Sequence, residues 1–118
     1  RTEESLNEAL EDIAKLRARY ENISVQDKGQ RFNTDLLEAI ELGFLLDLAE
    51  VLALTSRERR ESRGAHLRED FLARDDEKFM VHSMAYLTDK PAKKPGDNIK
   101  VGWKPVIVTN YQPMERKY

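Results

Sequence analysis

Asp35-Leu36-Leu37-Glu38-Ala39-Ile40-Glu41-Leu42-Gly43-Phe44-Leu45-Leu46-Asp47-Leu48-Ala49-Glu50-Val51-Leu52-Ala53-Leu54-Thr55-Ser56 is the stretch whose reading decides the fold. Apolar residues recur in it at helical spacing, which predicts one helix from about Asp35 to Arg60, roughly 39 Å long at 1.5 Å per residue. Asn33, Thr34 or Asp35 can cap its start. Leu37, Ile40, Phe44, Leu48 and Val51 form one apolar stripe; Leu42, Leu45, Leu46, Ala49, Leu52 and Ala53 form another on a different side. A partner helix with a single stripe covers only one of these, and the other would leave a patch that soluble monomers rarely expose. Either the chain self-associates, as a dimer, or a helix upstream of Arg1 covers the second stripe.

The partner helix is legible just before. From Ser5 to Tyr20, Leu6, Leu10, Ile13, Leu16 and Tyr20 recur at three- and four-residue steps among charged residues, an amphipathic helix with one buried stripe. Asn22 to Gln30 loses the period, and Asp27-Lys28-Gly29 suits a helix stop and a surface turn. After Gly64 the period shortens towards two. Asp75-Asp76-Glu77 suits a capped short turn, Val81 to Leu87 reads as a strand, and Ile99, Val101 and Trp103 mark a second. Between them Asp89 to Asp97, proline-rich and charged, reads as an exposed hairpin loop, with Lys90, Lys93 and Lys94 as solubilising residues. Val106-Ile107-Val108 extends the second strand in this reading, and Pro113 ends regular structure. The expected architecture is mainly α: antiparallel helices over residues 1–63, then a charged turn, a small β-hairpin and an extended tail over 64–118.

A chain of 118 residues is one domain by size and small for an enzyme that must bind a dinucleotide. Twenty basic and 22 acidic residues give a formal charge of −2, no excess to hold a nucleic-acid backbone or an anionic membrane. Without cysteine there is no disulfide, thiolate metal site or iron–sulfur ligation, and a reducing compartment is compatible. No apolar run approaches the roughly 20 residues that span a bilayer, and the acidic Arg1-Thr2-Glu3-Glu4 start does not suit a targeting peptide, so a soluble chain without direct membrane insertion is expected.

The window Arg57 to Lys78 holds seven basic and seven acidic residues, so its charges cancel. It is either a solvated helix end or a paired polar network that docks this domain against another, a use for which arginine's bidentate geometry is suited. Gly64 reads as a left-handed helix C′ residue. His66 and His82, the only histidines, stand 16 positions apart and offer no metal site; each is taken as a hydrogen-bonded structural residue. No G-x-G-x-x-G and no G-x-S-x-G occurs. Trp103 with Tyr86, Tyr111 and Tyr118 is taken as hairpin core packing, in preference to a base-stacking platform.

Arg60-Glu61-Ser62-Arg63-Gly64-Ala65-His66-Leu67-Arg68-Glu69-Asp70-Phe71, following that long helix, resembles the closing motif of the C-terminal helical domain of succinate dehydrogenase and fumarate reductase flavoprotein subunits. Arg31-Phe32-Asn33-Thr34-Asp35-Leu36, Glu41-Leu42-Gly43, Arg74-Asp75-Asp76, His82 to Tyr86 and the run from Trp103 to Tyr118 resemble that family in the same order, so the likeness covers nearly the whole chain. The ending Gln112-Pro113-Met114-Glu115-Arg116-Lys117-Tyr118 is similar to actinobacterial succinate dehydrogenases. Two departures fall in packing regions: Phe44 stands where the family usually has asparagine, and Leu72-Ala73 where proline commonly follows the aromatic residue.

The resemblance implies a three-helix, spectrin-repeat-like bundle whose first helix precedes Arg1. It implies a parent subunit that oxidises succinate to fumarate on FAD and passes electrons to an iron–sulfur subunit and then quinone, cytoplasmic and peripheral on the inner face of the cell membrane. The family's substrate and flavin-attachment residues belong to flavin-binding and capping domains absent from this sequence, so no catalytic, cofactor-binding or metal residue is carried over, and the chain alone is expected to be inactive. Arg63, His66, Arg68, Asp70, Arg74 and Asp75 are the residues expected to dock against the flavin-binding domain or the iron–sulfur subunit. Two alternatives stand beside this. L-aspartate oxidase has a similar Glu-Ser-Arg-Gly turn, and a helical protein-interaction module without redox role would explain the helices alone.

Overall fold

The computed structural model describes residues 1–89 and 92–114. Lys90 of the lysine loop and the Glu115 to Tyr118 end of the tail lie outside the described residues. The described elements are α1 (Glu3–Tyr20), α2 (Thr34–Glu58), α3 (Asp76–Phe79), β1 (Val81–Leu87) and β2 (Ile99–Pro105).

Each helix begins where a short polar side chain can take an orphan N–H. Thr2 caps α1 in a capping box with Ser5, so the helix starts at Glu3, two residues before the predicted Ser5. Asn33, one of the three expected candidates, accepts from the Leu36 N–H at 2.9 Å and caps α2. Asp75 accepts from the Lys78 N–H and caps the single turn of α3.

α1 and α2 lie antiparallel, as the pairs along them show: Arg57 Nη1 donates to Asn7 Oδ1, Arg17 reaches Asp47 and Glu50, and Tyr20 sits over Gly43. Leu6 and Leu10 of the predicted α1 stripe are buried and Ile13 half-buried, but Leu16 is exposed. On α2 the structure corrects the expectation. α1 covers neither predicted stripe as a whole but a side running Ala39, Gly43, Leu46, Glu50, Ala53 and Leu54, which takes only Leu46 and Ala53 from the second stripe. The reason is steric and electrostatic: Tyr20 and Arg17 are large, and they need the small residues and carboxylates of α2 beneath them. A Cβ on Gly43 would sit 2.7 Å from Tyr20 Oη.

β1 and β2 form an antiparallel two-stranded sheet, Leu87 opposite Ile99 and Val81 opposite Pro105. Ile99 closes the core with Leu10, Ala53 and Leu54, flanked by Ile13, Val51 and Val101. The expected extension of the second strand through Val106 to Val108 does not form. Val106 N–H makes one further bond to Met80 O, beyond the donorless Pro105. The connecting loop is not wholly exposed either. Gly96, at φ +83°, lies buried against Leu54 and donates its N–H to Glu50 Oε1 at 3.0 Å. Trp103 packs edge-on to Phe79, with ring centroids 5.6 Å apart, but it is 43% exposed and, like Tyr86 and Tyr111, stands outside the core.

Leu10, 2% exposed, stands at the junction of both helices and the sheet. Leu10→Ala is expected to destabilise the fold by about 3 kcal/mol, the usual cost of a cavity at such a site, measured by chemical denaturation; a loss below ~1 kcal/mol would contradict this core.

Candidate docking surface

The charged turn folds inward and ties the elements to one another. α2 ends at Glu58, with Arg59 as C-cap donating its N–H to Thr55 O. Gly64 is therefore not the helix-stop residue the sequence suggested. It occupies, at φ +58°, a two-residue turn closed by reciprocal Arg63 and His66 backbone bonds.

Arg68 and Glu61 are 0% exposed. Arg68 forms a bidentate pair with Asp70, Nε to Oδ1 and Nη2 to Oδ2 both at 2.7 Å, while Nη1 donates to the carbonyls of Ser56 and Arg57 at 2.9 Å. Those carbonyls lie in the last turn of α2, where intrahelical donors run out and the helix dipole favours a cation. Asp70 Oδ2 in turn accepts the Glu3 N–H at 2.9 Å, in the first turn of α1, where the dipole favours an anion. One ion pair thus caps two helices at opposite poles.

Glu61 anchors a second network. Its carboxylate accepts from Arg59 Nη1 at 2.6 Å, Arg63 Nε at 2.9 Å and the Asp75 N–H at 2.9 Å. Arg63 continues to Asp76 at 2.6 Å, and Asp76 to Arg74 at 2.8 Å. Arg59 also donates to Phe79 O, Val81 O and Ser83 Oγ and lies over the rings of Phe79 and Trp103 at 5.7 and 5.5 Å, so it holds α3 and β1 to the end of α2. His66 Nε2 bonds Arg59 O at 3.1 Å, which requires the proton on Nε2 and leaves Nδ1 facing Arg1.

Of the six residues expected to dock, Arg68, Asp70 and Asp75 spend their polar groups within the chain. Arg63 and Arg74 keep 28% and 32% of their side chains exposed, beside a groove of about 590 Å³ that Gly64 and Leu72 also line. Arg59 and Glu61 were missed. The signal for them was available: consecutive arginines at a helix end need anions, and Glu61 is the first acid beyond Arg59 and Arg60.

What the chain leaves open is apolar. Leu36, Leu37, Ile40, Leu42, Phe44, Leu45, Leu48 and Leu52 of α2 are all exposed, with Phe44 at 62% and Leu48 at 65%. Just ahead of them Phe32 holds φ +51° with its ring 99% exposed, a strained backbone and an unburied aromatic at one residue. A helix apolar on nearly every side is ordinarily surrounded. No helix of the described residues is long and apolar enough to cross a membrane, and none of their His, Cys, Asp and Glu side chains form a group of three placed to hold a metal ion.

These features define a mainly helical domain, locked at one end by a buried polar network and exposing large apolar side chains along its long helix. Residues 1–118 match the family model described as fumarate reductase flavoprotein C-term, and the chain belongs to that family. The fumarate reductase flavoprotein subunit of Haemophilus influenzae is 39% identical over 118 residues, 100% of this chain and 19% of that protein. The succinate dehydrogenase flavoprotein subunit of Rickettsia bellii is 41% identical over 109 residues, 92% of this chain and 17% of that one. The FrdA chain of Escherichia coli quinol fumarate reductase superposes with a TM-score of 0.85 at 33% identity, over 98% of this chain and 19% of its own. The chain spans about one fifth of the length of the relatives it matches.

Arg68→Ala strips two helix ends and leaves Asp70 without its partner, so a loss of about 3 kcal/mol is expected, read by thermal or urea unfolding. Acid should act on the same contacts. The Arg68 guanidinium holds the Asp70 carboxyl below the carboxylate range. At Glu61 burial pushes upward, but hydrogen bonds from Arg63, the Asp75 N–H and Arg59 outweigh it and hold the group low. Arg63 does the same for Asp76. Carboxyls held low bind fewer protons folded than unfolded, so their stabilisation is present at neutral pH and is lost as pH falls through and below about 4. Urea midpoints at pH 7, 5 and 3 should fall steeply across the last interval, and Asp70→Asn should flatten that fall.

Proposed function

We propose that this chain is the C-terminal structural and docking domain of a succinate dehydrogenase or fumarate reductase type flavoprotein subunit. The carrying observation is the contrast within α2's surroundings: the polar groups at its end are satisfied inside the chain, whereas the large side chains of its two apolar stripes, from Leu37 and Ile40 to Leu48 and Leu52, are exposed. In this reading one stripe packs on a helix preceding Arg1, completing a three-helix bundle, and the other with Phe32 braces the flavin-binding domain. Arg63, His66 and Arg74 then stand at the edge facing that domain or the iron–sulfur subunit, and Arg68, Asp70 and Asp75 hold that edge in shape from within.

The parent protein interconverts succinate and fumarate on FAD and exchanges electrons with an iron–sulfur subunit and quinone, held on the inner membrane face by its partner subunits. The described residues do not fit the flavin. The starts of α1 and α2 carry their own caps, Thr2 and Asn33, whose side chains take the Ser5 and Leu36 N–H groups, and no glycine fingerprint precedes them. The domain's contribution is therefore mechanical, holding the flavin domain's geometry without touching substrate.

The test is to restore the native upstream chain and denature the purified protein. Flavin that stays attached is expected; flavin released on denaturation points to the aspartate oxidase branch, and no flavin at all defeats the redox reading. Phe32→Ala should leave the melting temperature of the 118-residue chain within about 1 °C, yet lower flavin content or complex assembly in the longer protein. Equal assembly with and without the ring would remove Phe32 from the docking face.

A further inference from the structure

The open stripes of α2 carry a charge signature. From Thr34 to Ser56 the helix holds Asp35, Glu38, Glu41, Asp47 and Glu50 and not one lysine or arginine. α1 already shows how such a helix is met, since Arg17 bridges Asp47 at 2.7 Å and Glu50 at 2.8 Å on the side α1 covers. Asp35 accepts the Asp27 N–H. Glu38 and Glu41 are exposed, flank the uncovered leucines, and among the described residues take part in no ion pair.

We infer that the segment seated on this face is a basic amphipathic helix, with lysine or arginine bordering an apolar stripe so that cations reach Glu38 and Glu41. A second copy of this chain is a poor occupant. Two α2 helices face to face would bring acids from both sides and no basic residue from either, and like charges across helices are destabilising. The inference rests on the docking reading above and adds the partner's chemistry to it. Two exposed pairs, each a few tenths of a kcal/mol of attraction with one partner and of repulsion with its charge-reversed counterpart, amount to about a tenfold preference.

Two fluorescein-labelled 21-residue peptides with the same leucine stripe, one bordered by lysine and one by glutamate, serve as probes, titrated into the 118-residue chain by anisotropy. The lysine-bordered peptide should bind about tenfold more tightly at low salt, with the advantage shrinking at high salt, and Glu38→Lys with Glu41→Lys should invert it. Equal affinities, no binding by either peptide, a lysine preference that survives the double substitution, or a dimer through α2 that the lysine peptide fails to displace would each overturn the inference. If circular dichroism finds the isolated chain unfolded, the two positions are compared in the upstream-restored protein. A double Lys substitution that lowers the melting temperature well beyond the double Gln substitution supports a basic neighbour, and equal effects refute it. Failure of the redox reading shows as missing flavin and leaves the peptide preference unchanged, so the two can fail separately.

Discussion

The rest of the structure depends on the Arg68–Asp70 pair. A helical hairpin closes at one end through its own connector, but at the other end the start of α1 and the end of α2 have opposite polarity and no covalent link. A guanidinium that donates to the last carbonyls of α2 while holding a carboxylate against the first N–H groups of α1 satisfies both poles in one place. Burying it completely is tolerable only because nearly every donor has an acceptor, including the long contact to Glu3. The Arg59–Glu61 network then hangs α3 and the β-hairpin from the same corner.

Much of this was legible in the chain, and the failures share a cause. The limits of the first strand, the start of the second, the two helices and Asn33 as one of three cap candidates followed from period, capping chemistry and turn residues. The covered side of α2 did not, because reading by hydrophobicity selects the largest apolar side chains as the buried ones. α1 instead seats against Gly43 and Glu50, where Tyr20 and Arg17 have room and a charge partner. Gly96 misled in the same way: beside lysines and proline it reads as a loop tip, but the missing side chain is what lets its backbone reach Leu54 and Glu50.

The candidate site divides along the same line. The sequence places the residues expected to dock in the charged turn, and the structure divides them between the Arg68–Asp70 pair and the network around Glu61. It turns Arg68 inward, however, because a buried guanidinium here has helix carbonyls to serve. Pattern alone does not distinguish an ion network that faces a partner from one that faces its own chain, since both need the same residues at the same spacing. The leucines of α2 were the more direct sign. Polar groups can satisfy each other within a small domain, whereas that many large apolar side chains exceed what one partner helix can cover.

The connector from Glu21 to Asn33 bonds to itself, to the last turn of α1 and to Asp35, while α1 is tied to α2 near both ends by side chains, through Arg57 with Asn7 and the Arg68–Asp70 pair at one and Arg17, Asp47 and Glu50 at the other. Covalent continuity between the helices is therefore not what keeps them paired. A polypeptide divided in that connector keeps every one of those side-chain ties available to its two pieces, which makes it a natural position for a split reporter in which the signal registers the meeting of the halves.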